Sequence, residues 1–281
     1  MVGAIVGDII GSYYEFKPYK GEDFPLFPEK SRFTDDTVMT LAVGLGIMQH
    51  YQNEEASREE IINTMQELGR FYYKAGYGMR FVQWLQRRSR VPYNSFGNGS
   101  AMRVSSVAWA YQTLEEVEKY AKISAEVTHN HPEGIKGAQA AAVAIFMARQ
   151  GKSKEEIKNF IQNQYAYDLS RTVAEIRPTY RFNETCQGSV PEAIICFLES
   201  SSFEDSVRKA VSLGGDSDTQ AAIAGSIAEA YYQGVPDEIL KIALTKLDTG
   251  LLIILQSWQK WLKEEIAPTT SLYLPYYELL E

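Results

Sequence analysis

Two short acidic clusters stand far apart in this chain, Thr34-Asp35-Asp36-Thr37 near one end and Gly214-Gly215-Asp216-Ser217-Asp218-Thr219 near the other. Each opens an apolar, helix-like stretch, where a hydroxyl or carboxylate can accept from the free backbone N–H groups of a first turn. A cap needs one oxygen, and these segments offer several. Carboxylates held so close raise one another's pKa unless cations neutralise them. If the fold joins the clusters, they form an oxygen-rich cage suited to hard divalent cations such as Mg²⁺ or Mn²⁺. With Glu15 the carboxylates carry −5, and two such ions return +4, close to the neutrality that a buried site requires. The pattern points to a metal site and to an enzyme.

A second constellation is Ser95-Phe96-Gly97-Asn98-Gly99-Ser100-Ala101-Met102-Arg103. Glycines on both sides of Asn98, just before a helical stretch, free backbone N–H groups to face an anion, and a helix start adds favourable partial charge. That is a phosphate cradle in outline; the alternative is a plain loop with a helix cap. Tyr93 and Phe96 can offer a stacking face for a base, or plug the core. A third is Thr128-His129-Asn130-His131-Pro132, which holds two of only three histidines. His-x-His can bind zinc, but no third His or Cys lies at ligand spacing. A hydrogen bond from His129 to a substrate phosphate or ribose is the preferred reading, against helix capping.

The elements that must position these residues are helical. Val38, Leu41, Ala42, Leu45 and Met48 recur at three- and four-residue steps, as do Ile61, Met65, Leu68 and Tyr72. Period-2 runs of β-branched residues are nearly absent. The spacing predicts an all-α, single-domain bundle spanning residues 1–281, of about a dozen helices. Breaks are expected at 17–32, 90–99, 129–133 and 176–187, where Gly, Pro and Asn gather. Gly3, Gly7 and Gly11 fall at four-residue steps, and Ala221, Ala222, Ala224, Gly225 and Ala228 crowd a late helix. Small residues let helices approach closely, so these two helices are expected at the centre. The early glycines are no dinucleotide fingerprint, because the G-x-G-x-x-G spacing and a strand-helix-strand setting are both missing.

The chain has 281 residues, 45% of them hydrophobic, with a formal charge of −8. That content supports a substantial core, and the acidic balance argues against sequence-independent nucleic-acid binding, which needs a basic stripe. Cys186 and Cys196 are too few for a disulfide framework, so a reducing compartment, by default the cytoplasm, is expected. Residues 1–12 are apolar but lack a basic leader and contain Asp8, so they read as mature structure. No run of about 18 uncharged apolar residues suggests a membrane span.

Five motifs occur in one order: an early Gly-Asp-x-x-Gly helix ending in a Glu, Thr-Asp-Asp-Thr, Gly-Asn-Gly-x-Ala-Met-Arg, Thr-His-x-His-Pro and Gly-Gly-Asp-x-Asp-Thr. This order resembles the ADP-ribosylglycohydrolase family from Gly3 to about Gly234. The resemblance implies an orthogonal helical bundle with a binuclear Mg²⁺ or Mn²⁺ centre at the base of a cleft. It implies Thr34, Asp35, Asp36, Asp216, Asp218 and Thr219 as metal ligands. Ser95, Gly97, Asn98, Gly99 and Ser100 would hold a diphosphate and ribose, with Phe96 on the adenine and His129 on the ligand. Glu15 matches a Glu that lies beside the metals on a mobile loop in the serine-directed branch, and Gly11-Ser12-Tyr13-Tyr14-Glu15 is spelled nearer to that branch than to the arginine-directed one. Ser100 stands where the family has glycine.

The implied activity is hydrolysis of the glycosidic bond joining ADP-ribose to an acceptor, on an ADP-ribosylated protein or an ADP-ribose-containing small molecule. Such cleavage passes through an oxocarbenium-like state. Metals can chelate the vicinal ribose hydroxyls and lower the pKa of a water, whose proton Asp35, Asp36 or Glu15 can remove. Two rivals are a phosphohydrolase acting on a small nucleotide metabolite and a non-catalytic, crystallin-like member. The scarcity of histidine speaks against the first, and the intact carboxylates, costly to hold together without a purpose, against the second.

Overall fold

Helical periodicity along the chain becomes helices at nearly every place it occurs. The computed structural model describes residues 1–274 and 277. Its first elements are α1 (Val2–Gly11), α2 (Asp35–Gln49), α3 (Glu54–Phe71), α4 (Met79–Gln86) and α5 (Gly99–Met102). They are followed by α6 (Ser105–Ala110), α7 (Leu114–Glu126), α8 (Pro132–Arg149), α9 (Lys154–Tyr165) and α10 (Val173–Ile176). The last are α11 (Cys186–Leu198), α12 (Phe203–Ser212), α13 (Ser217–Tyr231), α14 (Asp237–Leu244) and α15 (Thr249–Trp261), ending in a π turn and a 3₁₀ turn. No strand forms among the described residues; a lone antiparallel bridge joins Gly97 to Thr185. The fold is all-α, as the periodicity predicts, and the extra helices are short ones such as α5 and α10. No helix among the described residues is long and apolar enough to cross a membrane.

The centre of the molecule is the pair α1 and α13. Every residue of α1 is buried, and so is α13 from Ser217 to Ala230. A methyl group on Gly3 would lie 2.3 Å from the Gly225 carbonyl oxygen, one on Gly7 2.1 Å from that of Ala221, and one on Gly11 2.3 Å from that of Ser217. The contacts run in opposite order along the two helices, so they are antiparallel and touch backbone to backbone. Only glycine permits such an approach. The consequence is positional: the C-terminus of α1, with Glu15 just beyond it, lies against the N-terminus of α13, where Asp216 and Asp218 sit.

The segment from Lys17 to Phe33 has no helix, in line with its Pro and Gly content, but it is tethered. Lys20 Nζ donates to the Arg177 carbonyl at 2.8 Å, to the Tyr180 carbonyl at 2.7 Å and to that of Leu213. Arg208 Nη1 donates to the carbonyls of Glu22 and Phe24 at 2.9 and 2.7 Å. The Tyr14 hydroxyl donates to the Pro25 carbonyl at 2.7 Å. This binds the segment to α12 and to the turn preceding α13. The loop beyond Glu15 is thus fastened at several points.

Candidate active site

Asp8 organises the first acidic cluster from within α1. Its side chain, fully buried, accepts from Thr34 N at 2.9 Å, Thr34 Oγ1 at 2.7 Å, Thr37 N at 3.1 Å and the Thr37 hydroxyl. These bonds fix the start of α2, where Thr34 is the N-cap and accepts from Asp36 N at 3.2 Å. Burial first, and the Asp218 charge second, push the Asp8 carboxyl up to about 7, against its hydrogen bonds from Thr37 and Thr34. Sequence reading placed Asp8 in a motif without giving it a task. A lone charge in an otherwise apolar helix was the available signal.

The two clusters meet. Thr219 Oγ1 donates to Asp36 Oδ2 at 3.3 Å across 183 positions of chain, and oxygens of Glu15, Asp216 and Asp218 lie within 4.8 Å of one another. Asp36, Asp216 and Asp218 are buried, whereas Asp35 and Glu15 are half-buried. Asp35, Asp36 and Asp216 have pKa values pushed well above the ordinary carboxylate range, by burial first and by the Asp218 charge next. Glu15 is raised to about 8 by burial and then Asp218, with Arg32 opposing. Starts of α2 and α13 both face this cluster, and their partial positive charge favours carboxylates there. That alone does not neutralise so many. Asp36 Oδ1 is buried without a hydrogen-bond partner, a costly state for a carboxylate oxygen unless a cation takes the place of a donor. Hard oxygen donors on several sides, one of them orphaned, fit a divalent cation.

The glycine-flanked loop forms the neighbouring wall. Asn98 N donates to the Glu184 carbonyl at 2.7 Å, and Cys186 N donates to that of Phe96 at 2.9 Å, so residues 96–98 are clipped to residues 184–186. Asn98 Nδ2 donates to Asp216 Oδ2 at 2.7 Å and to Ser189 Oγ at 3.2 Å. The amide therefore couples cradle to acidic cluster. Ser95 Oγ accepts from Gly97 N at 3.1 Å. Gly99 and Ser100 start α5; the Ala101 and Met102 N–H groups donate to the Asn98 carbonyl at 2.8 and 3.0 Å, which leaves those of Gly99 and Ser100 without an intrahelical acceptor. The Ser100 side chain turns inward, donating to the Gly134 carbonyl at 2.7 Å beside Cys186 Sγ, so its hydroxyl packs the base of the loop away from the cleft.

A cleft of about 530 Å³ joins these parts, a volume in the range of small-ligand sites. Glu15, Thr34, Asp35, Asp36, Asp216, Asp218 and Thr219 line one region, and Ser95, Phe96, Gly97, Asn98, Gly99 and His129 another. Phe96 is 41% exposed at the mouth and its ring lies 5.2 Å from that of His131. His131 is the N-cap of α8, accepting at Nδ1 from Glu133 N at 3.1 Å. His129 is buried, and desolvation, then the Arg103 and Arg80 charges, hold its pKa well below the ordinary value, so the ring is neutral. Segments 75–81 and 182–185 also line the cleft. Sequence reading missed them: one runs from a loop into the first turn of α4 and the other is irregular, and neither carries a motif.

An acidic floor, a glycine-rich wall and an aromatic lip, all on a helical frame, make a hydrolase-like cleft. The chain matches the model of the ADP-ribosylglycohydrolase family over residues 1–265. It belongs to that family, and with it to the hydrolases that act on ADP-ribose linkages. It is 28% identical to the ADP-ribosylhydrolase ARH3 of Homo sapiens, with 83% of this chain and 84% of the human protein covered. Similarity extends to the ADP-ribosylarginine hydrolase Tri1 of Pseudomonas putida (strain GB-1), at 23% identity over 85% of this chain and 71% of that protein. A solved structure described as an ADP-ribosylglycohydrolase-related protein complex shares the fold, with a TM-score of 0.63 and 22% identity, over 87% of this chain and 95% of that one.

Proposed function

We propose that this cleft hydrolyses the glycosidic bond between ADP-ribose and a modified protein side chain, serine or arginine, with divalent cations at its floor. The observation that carries the reading is the meeting of Asp35 and Asp36 with Asp216 and Asp218 beside a cradle that is hydrogen-bonded to them through Asn98. Thr34, Asp35, Asp36, Asp216, Asp218 and Thr219 would hold two Mg²⁺ or Mn²⁺ ions. Bound there, the ions supply chelation of the vicinal ribose hydroxyls and a water of lowered pKa. Asp8 holds the Thr34 end of that ligand set in place through its four hydrogen bonds.

The chain's own groups divide the remaining work. Glu15, Asp35 and Asp36 are the carboxylates that would take the proton of the attacking water. Glu15 lies with Asp216 and Asp218, carboxylate oxygens of the three within 4.8 Å of one another, so it borders the proposed cations without belonging to the two acidic clusters. Ser95 and the Gly97–Gly99 backbone face the diphosphate and proximal ribose, Phe96 stacks on the adenine, and His129 reaches the ligand from the adjoining wall. Ser100 supports the loop from beneath. An ADP-ribosylated protein is the expected partner, with a small ADP-ribose ester or glycoside as a second substrate class.

The test is incubation of the purified chain with defined ADP-ribosyl-serine and ADP-ribosyl-arginine peptides, with Mg²⁺ or Mn²⁺ or with a chelator, reading released ADP-ribose by mass spectrometry. Release from at least one peptide, abolished by the chelator and restored by metal, is the expected result. Release from neither peptide, or release that survives the chelator, contradicts the reading.

A further inference from the structure

Behind the cradle lies a buried cation that the hydrolytic scheme does not use. Arg103, at the end of α5, is 1% exposed and borders the cleft. Its Nη2 donates to the Ser124 carbonyl at 2.9 Å and to Thr128 Oγ1 at 2.8 Å, its Nε has no partner, and no carboxylate pairs with it among the described residues. Thr128 is fully buried, and its hydroxyl oxygen lies 2.7 Å from His129 Nδ1.

The proton positions follow from what each group can do. A guanidinium only donates, so Thr128 Oγ1 accepts from Arg103. The Thr128 proton then needs an acceptor, because a buried hydroxyl proton left unpaired is unfavourable. His129 Nδ1 is the one acceptor at hand among the described residues. Nδ1 is thus the unprotonated nitrogen, and in a neutral ring the hydrogen resides on Nε2. That nitrogen makes no hydrogen bond within the described residues. It lies against the cradle: a methyl group on Gly99 would be 3.2 Å from it, and one on Gly97 3.5 Å.

We propose that Arg103 and Thr128 are positioning residues that lock His129 in the tautomer protonated at Nε2, so that it presents a hydrogen-bond donor to the anionic part of a ligand in the Gly97–Gly99 cradle. The unpaired Arg103 charge just beyond adds positive potential from the same side. The choice of ligand, a nucleoside diphosphate sugar, rests on the proposed function; the tautomer does not.

The chain has three histidines, so long-range ¹⁵N–¹H NMR of histidine-labelled full-length protein can assign each ring. Parent protein is expected to show His129 with its hydrogen on Nε2 throughout the neutral range. Thr128→Val keeps the side-chain volume and removes the hydroxyl. It is expected to give mixed tautomers and about a tenfold loss of ADP-ribose affinity by calorimetry, the scale of one hydrogen bond, with Thr128→Ser restoring both. Protonation at Nδ1 in the parent overturns the proposal whatever ADP-ribose does, and so does a Thr128→Val variant whose tautomer is unchanged. A parent that shows the Nε2 form yet fails to bind ADP-ribose supports the lock and removes the functional reading instead.

Discussion

Asp8 sits in a helix whose other side chains are all apolar or absent, and it spends its two oxygens on four donors from Thr34 and Thr37. These bonds set the end of α2 that carries Asp35 and Asp36. Asp8→Ala would orphan two backbone N–H groups and two hydroxyls, at about 1–3 kcal/mol for each buried donor left unsatisfied. We expect a loss of at least about 3 kcal/mol in denaturant unfolding on that scale, together with lower metal affinity; a loss below 1 kcal/mol would assign Asp8 no such part. Under the proposed function Phe96 serves recognition instead. Its ring is exposed at the cleft mouth, so Phe96→Ala is expected to weaken ADP-ribose binding by about 1–3 kcal/mol with metal titration unchanged. Unaltered ADP-ribose binding would make it a surface plug. At this scale the sequence was only partly readable. Residue type announced the acidic clusters, but nothing in the local pattern told that Ser100 turns inward to Gly134 or that the Asn98 amide is engaged by Asp216.

Among the elements, α1 and α13 decide the geometry. Gly→Ala inside a helix ordinarily gains about 1 kcal/mol from helix propensity, yet a methyl on Gly7 would stand 2.1 Å from the Ala221 carbonyl oxygen and 2.4 Å from its carbon. Both atoms are backbone, which cannot swing aside. Gly7→Ala is therefore expected to lower Tm by several degrees and to weaken metal binding by parting Asp8 from Asp218; a raised Tm would show that the helices do not meet as described. This crossing was legible, because the four-residue glycine step and the alanine-rich late helix have no other use in a bundle. The start of α2 was legible as well: Thr34 caps it as its type suggests. The clip between residues 96–98 and 184–186 was not. It is made of backbone groups in two irregular segments, and backbone pairing of that kind leaves no mark on residue choice. The tether of Lys20 escaped because its three acceptors are backbone carbonyls, which every residue carries.

Over the whole molecule, folding drives like charges together at one place, and stability must carry the mark of that. Burial and the Asp218 charge raise Asp8 from an ordinary 3.8 to about 7 and Glu15 from 4.5 to about 8. Carboxyls with a higher pKa folded than unfolded bind more protons in the native state, so their contribution is intact at low pH and is lost as pH rises through the folded values. Chelator-treated protein is expected to lose Tm between about pH 5 and pH 8, a range set by those two shifts, and added Mn²⁺ to abolish the slope by binding only the native form. A Tm that climbs over that range without metal would contradict the electrostatic account. The central claim is that carboxylates from opposite ends of the chain form one cation site, and it is tested most directly by a calorimetric double-mutant cycle. Mn²⁺ is titrated into metal-free parent, Asp36→Asn, Asp218→Asn and the double variant. A shared site predicts that each single change removes most of the affinity and that the double change costs much less than the two summed; additive losses, or parental Mn²⁺ binding by either single variant, would mean that the two clusters do not serve the same ions.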